Sequence, residues 1–143
     1  MTAFYAFFIR LGERFSDWLL LFIRLFWGLQ FAQAGWMKIQ NMSTTITSFK
    51  NLHIPLYEFA APTVGWVELI CGLALALGFL SRIITIPLII TMIVALFTAH
   101  IAFIYAPLTV VHEAPFNFLL ASLIVFCFGA GRFSLDNLMM IRH

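Results

Sequence analysis

From Trp18 to Gly131 the chain is a succession of apolar stretches, each about as long as a membrane-crossing helix, separated by short connections. A spanning helix needs about 20 mostly apolar residues. Four such stretches fit, at about 18–38, 56–80, 83–104 and 115–131. Composition points the same way. Of the 143 residues, 63% are hydrophobic and 10% charged, whereas a soluble domain is about 45–50% apolar and about 25% charged. A soluble fold near this size buries only about 70% of its unfolded surface, so too much hydrocarbon would face water. A soluble enzyme, a nucleic-acid binder and a disordered segment are excluded. The expected fold is all-α, an integral membrane four-helix bundle forming one domain over residues 1–143, with the lipid bilayer as its first partner.

Residues 1–17 do not read as a cleavable signal, because no basic residue precedes the apolar start and the first charge is Arg10. Phe4, Phe7, Phe8, Leu11, Phe15 and Trp18 recur at helical spacing, with Arg10, Glu13, Arg14 and Asp17 on the other side. This pattern predicts a short amphipathic helix lying in the membrane interface. Ser43-Thr44-Thr45 is placed to cap a short helix carrying Ile46, Phe49 and Lys50. Pro55 suits a first helical position. Ser134 is placed to cap a short helix on the cytoplasmic side. The net charge of +2 is too weak to imply an anionic macromolecular partner. Cys71 and Cys127 lack CxxC spacing and read as two buried structural thiols.

Four spans put residues 1–17, the Ser81-Arg82 turn and residues 132–143 on one side of the membrane. That side holds Arg10, Arg14, Arg82, Arg132 and Arg142, and the other holds only Lys38 and Lys50. The positive-inside rule then places both termini in the cytoplasm.

Gly28 and Gly35 are seven residues apart, as are Gly65 and Gly72. Seven residues is nearly two helical turns, so each pair shares a face. Small residues let membrane helices approach closely, which predicts that the first two spans pack through these faces. Arg24, Lys38 and Glu68 lie on the same faces. A lone charge at mid-membrane costs at least about 2.5–3.5 kcal/mol on the insertion scale, so pairing is favoured. Arg24 lies roughly 21 Å below Lys38. Either base is within reach of Glu68, because helix ends read from sequence are uncertain by about two to four residues. His100 falls at a depth near that of Glu68, and His112 and Glu113 sit just before the fourth span.

Each of these residues has a plain structural reading beside the functional one. Glu68 could relay a proton, bind a ligand head group, or only neutralise a base. His100 could carry protons or hydrogen-bond a quinone carbonyl, or simply make one interfacial hydrogen bond. Arg24 could snorkel, and Glu113 suits a helix N-terminus. Arg132 and Asp136 read as anchors for the cytoplasmic segment. No residues are spaced to bind a metal.

These residues also carry a family resemblance. Arg24-Leu25, Gly28, Phe31, Gly35 and Lys38 resemble the first-helix pattern RL-x-x-G-x-x-F-x-x-x-G-x-x-K of the DoxX family of small four-helix membrane proteins. Ile54-Pro55 resembles its G-[IV]-P segment, with His53 in place of glycine. Glu68, Gly72, Gly78 and Ser81-Arg82 resemble its second-helix pattern, and residues 129–136, GAGRFSLD, are similar to its G-x-G-[RK]-[FYW]-S-L-D run. The matches cover residues 24–136 in order. The resemblance implies a bacterial cytoplasmic-membrane protein, from a family whose members include subunits linked to quinol oxidase and thiosulfate:quinone oxidoreductase complexes. By the resemblance, Arg24, Lys38, Glu68 and Arg82 match patterned family positions, and family members often have a histidine near the outer end of the third span, where His100 stands.

The expected function is a membrane subunit or anchor for redox chemistry linked to quinone. Glu68 and His100 would pass protons, Arg24, Lys38 and Glu113 would hold the head group, and the cofactor would be a non-covalently bound quinone. A partner oxidoreductase subunit or a homo-oligomer would complete the assembly. The alternatives are an assembly or anchoring protein without chemistry of its own and a small transporter.

Overall fold

The computed structural model describes residues 2–99 and 111–140. Its elements are α1 (Thr2–Gln40), α2 (Met42–Asn51), α3 (Tyr57–Leu77), α4 (Ser81–Ala99), α5 (Ala114–Phe128) and α6 (Leu135–Met140). No strand occurs among the described residues. α1, α3 and α4 are long and apolar enough to cross a membrane, and α5 is a shorter apolar helix. The fold is the all-helical membrane bundle that the sequence predicts.

One feature of α1 differs from expectation. The amphipathic segment is helical, but it runs into the first span without a break, giving one helix of 39 residues. The apolar stripe widens beyond Trp18, yet no proline or cap interrupts the backbone there. Each N–H still finds the carbonyl four residues back, whichever side of the helix is apolar. Gly12 costs only about 1 kcal/mol in a helix.

The connections also correct local detail. α2 begins directly after Asn41, whose side chain makes no capping bond, so Ser43, Thr44 and Thr45 lie inside the helix. Thr45 is buried, and its hydroxyl lies 3.1 Å from the Lys38 carbonyl and 3.0 Å from that of Asn41. It thus offers a donor to the Lys38 carbonyl in the last turn of α1, where carbonyls lack an intrahelical partner. α3 begins at Tyr57 after Leu56 in a left-handed conformation, φ 52°, so Pro55 precedes the helix and is not its first residue. α3 ends at Gly78, φ 70°, where the Phe79 N–H donates to the Ala74 carbonyl at 2.9 Å. This is a Schellman closure, which favours glycine. Glu113 is the extended N-cap of α5, followed by Pro115 in the first turn. Ser134 caps α6 as expected, its Oγ accepting from the Asn137 N–H at 3.2 Å.

The most extensive helix pairing is α1 with α3. These helices run antiparallel, and their glycines face each other as the spacing predicts. A Cβ on Gly28 would fall 2.7 Å from the Ala76 nitrogen and 2.8 Å from the Gly72 carbonyl oxygen. A Cβ on Gly72 would fall 2.6 Å from the Ala32 nitrogen. Backbone therefore meets backbone along this seam. Phe31, Leu75, Leu88 and Val125 fill the centre of the bundle, and Phe31 meets the Phe118 ring edge-on at 4.5 Å. Both cysteines are free. Cys71 is half-buried, but Cys127 is exposed, against the expectation of two buried thiols. It lies two positions beyond buried Val125, hence on the opposite side of α5.

Candidate functional site

Lys38 and Glu68 form an ion pair across the α1–α3 seam. Glu68 follows Gly65 by three residues and precedes Gly72 by four, so the close approach of the two helices carries its carboxylate inward. Its side chain is 2% exposed, and that of Lys38 is 30% exposed. The lysine Nζ donates to Glu68 Oε2. The structure thus selects Lys38 over Arg24 as the partner of Glu68.

A cavity of about 510 Å3 opens beside this pair. Phe31, Ile90, Met92 and Phe118 contribute apolar walls from α1, α4 and α5, while Phe49 of α2 and its C-cap Leu52 add to the lining. Lys38, Glu68, Thr91 and Thr98 supply the polar lining. The Thr91 and Thr98 hydroxyls donate to carbonyls of their own helix, at 2.8 Å each. Their lone pairs remain able to accept. An ammonium has three donors and a carboxylate two acceptor oxygens, so the pair can still donate and accept. The arrangement suits a ligand with an apolar body and a small polar head. The sequence predicts a short helix carrying Phe49 here, but not its place at this cavity.

Arg24 belongs to a different part of the molecule. It is wholly buried, and its Nη2 donates to the Phe133 carbonyl at 2.5 Å. Gly78 packs beside its guanidinium. The segment from Gly129 to Asp136 folds back over this end of the bundle. The Asp136 carboxylate accepts from the Leu80 N–H at 2.6 Å and the Ser81 N–H at 2.9 Å, and so caps α4 from outside the helix. The Asp136 N–H donates to the Gly78 carbonyl at 3.0 Å. Asp17 Oδ1 accepts from the Arg132 N–H at 3.2 Å. Arg24 therefore does not line the Glu68 cavity, contrary to its expected place in one cluster with Glu68 and Lys38.

Two other expected residues complete the account. Glu113 does not line the cavity, although Ala114 and Pro115, which follow it, do. His100 lies outside the described residues, as do Tyr105 and Arg142, and nothing is described of the side chains of Arg10, Glu13 and Arg14. Among the described residues, no group of His, Cys, Asp and Glu is arranged to hold a metal ion.

The sequence profile of the DoxX family matches residues 19–101, which run from the start of the first span through Lys38, Glu68 and the α3–α4 turn. The chain belongs to the DoxX family. An uncharacterized membrane protein of Mycobacterium tuberculosis is 36% identical over 75 residues, which cover 52% of this chain and 46% of that protein. The match thus spans about half the length of that relative. No solved structure matches the chain. Within this DoxX-family chain the matched region holds both members of the ion pair, whereas Phe133 and Asp136 lie beyond it.

Proposed function

We propose that this DoxX-family protein holds a quinone head group in the cavity beside Lys38 and Glu68, as a membrane subunit or anchor for a quinone-linked oxidoreductase. The observation that carries this reading is the cavity itself: about 510 Å3, mostly apolar, with one buried carboxylate and its lysine at the wall. A quinone is a flat apolar ring with two carbonyl acceptors. Lys38 can donate to one carbonyl. In the quinol form, Glu68 or Thr91 can accept from the hydroxyl. Reduction to the quinol takes up two electrons and two protons. The electrons would come from the partner oxidoreductase, and Glu68 and His100 would conduct protons. The proposed location is the bacterial inner membrane with both termini cytoplasmic, supported by the arginines at the α3–α4 end and the lysines at the other.

The test is titration of the purified protein in detergent with a short-chain quinone, followed by tryptophan fluorescence. Saturable binding is expected, weakened about tenfold in Lys38→Met by loss of a charge-assisted hydrogen bond. Absence of saturable binding, or equal binding by both proteins, would overturn the reading. It would favour an assembly protein without chemistry of its own.

A further inference from the structure

Leu19, Phe22, Phe26, Leu29, Gln33 and Trp36 follow one another along α1 at alternating steps of three and four residues. All six are exposed. Gln33 comes five residues after Gly28 and two before Gly35, so it lies on the side of α1 turned away from the glycine seam. Steps of three and four repeat every seven residues, the period that keeps two parallel helices in contact along one seam. The apolar members of such a stripe suit lipid as well as protein. Gln33 does not.

Gln33 stands seven residues, roughly 10 Å, inside the Gln40 end of α1. Its neighbours Ala32 and Gly35 meet Gly72 and Leu69 of α3, so it is level with the interior of that span. Among the described residues, its amide makes no hydrogen bond. A carboxamide has two N–H donors and an acceptor oxygen, and lipid tails offer partners for neither. Its stem is too short to snorkel as a lysine does. Copies of one chain inserted alike share a topology, so a two-fold axis relating them runs along the membrane normal. Each residue then lies at the depth of its own counterpart, and Gln33 meets Gln33. Each carboxamide can donate to the oxygen of the other. A second copy of this chain therefore satisfies the amide, and one polar residue in an apolar seam also fixes the register.

We propose that two copies of this protein associate in parallel through this stripe of α1, with the two Gln33 carboxamides hydrogen-bonded to each other inside the membrane. The pairing is independent of any ligand beside Lys38 and Glu68, and its test uses none. The full chain is followed by sedimentation equilibrium in a density-matched mild detergent. A monomer–dimer equilibrium is expected. Gln33→Leu is expected to raise the dissociation constant about tenfold, and Gln33→Asn, which keeps an amide, by less. Because Gln33 is exposed within one copy, both variants should keep the helix content of the wild type. A second measurement locates the face. With Cys71→Ser and Cys127→Ser in place, single cysteines are introduced as Leu29→Cys on the stripe and Leu73→Cys on the exposed side of α3, and each protein is oxidised in phosphatidylcholine vesicles. Leu29→Cys is expected to yield a covalent dimer and Leu73→Cys to remain a monomer. A wild type that stays monomeric would overturn the proposal, as would a species larger than a dimer. So would a Gln33→Leu protein that dimerises as tightly as the wild type, or cross-linking through Leu73→Cys and not Leu29→Cys.

Discussion

Lys38 and Glu68 pair across a seam where two helices touch through their glycines, and the carboxylate is almost wholly withdrawn from its surroundings. Removing one partner strands the other. Glu68→Leu is expected to destabilise the protein by about 3–5 kcal/mol, and the double change Lys38→Met with Glu68→Leu to recover most of that loss. Denaturant unfolding in micelles measures both. A double variant no more stable than the single one would show that the pair is not the source of the loss.

The glycine seam makes its own forecast. At Gly72 a new methyl group would meet the Ala32 nitrogen and the Gly28 carbonyl oxygen at 2.6 and 2.7 Å. Backbone cannot rotate away as a side chain can. Gly72→Ala is therefore expected to cost about 1–3 kcal/mol. Gly12→Ala, where nothing lies within 4 Å, should be neutral or stabilise α1 by up to about 1 kcal/mol. Equal melting shifts for the two variants would refute the close approach.

Asp136 acts as a cap delivered from a distant segment. Asp136→Ala should cost about 0.5–2 kcal/mol, as loss of an N-cap does. It should also speed amide exchange at Leu80 and Ser81, whose N–H groups it holds. Unchanged exchange at those two amides would show that another acceptor replaces it.

Arg24 fastens the same segment through the Phe133 carbonyl. In Arg24→Met the segment from 129 to 134 loses that donor, so limited proteolysis between Gly129 and Asp136 should accelerate. Asp17→Asn should have a smaller effect, because an amide oxygen can still accept from the Arg132 N–H. If Arg24→Met resists protease as well as the wild type, the other contacts suffice to hold the segment.

The comparison of sequence with structure follows the range of each interaction. The glycine seam was legible because seven residues bring a helix back to nearly the same face, a fact internal to each span. The choice between Arg24 and Lys38 was not legible. It turned on relative helix depth, which connection lengths leave uncertain by about a turn. Arg24 had a partner that no local pattern could reveal, since its acceptor is the backbone of Phe133, and any residue type carries a carbonyl. The caps divided in the same way. Ser134 serves its own helix and was foreseen, whereas α4 takes its cap from Asp136, more than fifty residues onward. The unbroken α1 is not legible because its amphipathic pattern changes near Trp18 while its backbone hydrogen bonding does not.

The separation between Arg24 and Phe133 is 109 positions. At about 5–20 residues per second, the ribosome takes about 5–20 s to travel from one to the other. For that interval the arginine is already made and its acceptor does not exist. The guanidinium must meanwhile be accommodated by water or lipid head groups near the membrane edge. The contact between Arg24 and Phe133 can form only after α5 and the segment behind it have been made. Burial of this guanidinium is therefore a late step in the assembly of the bundle, timed by the synthesis of residues 133–136.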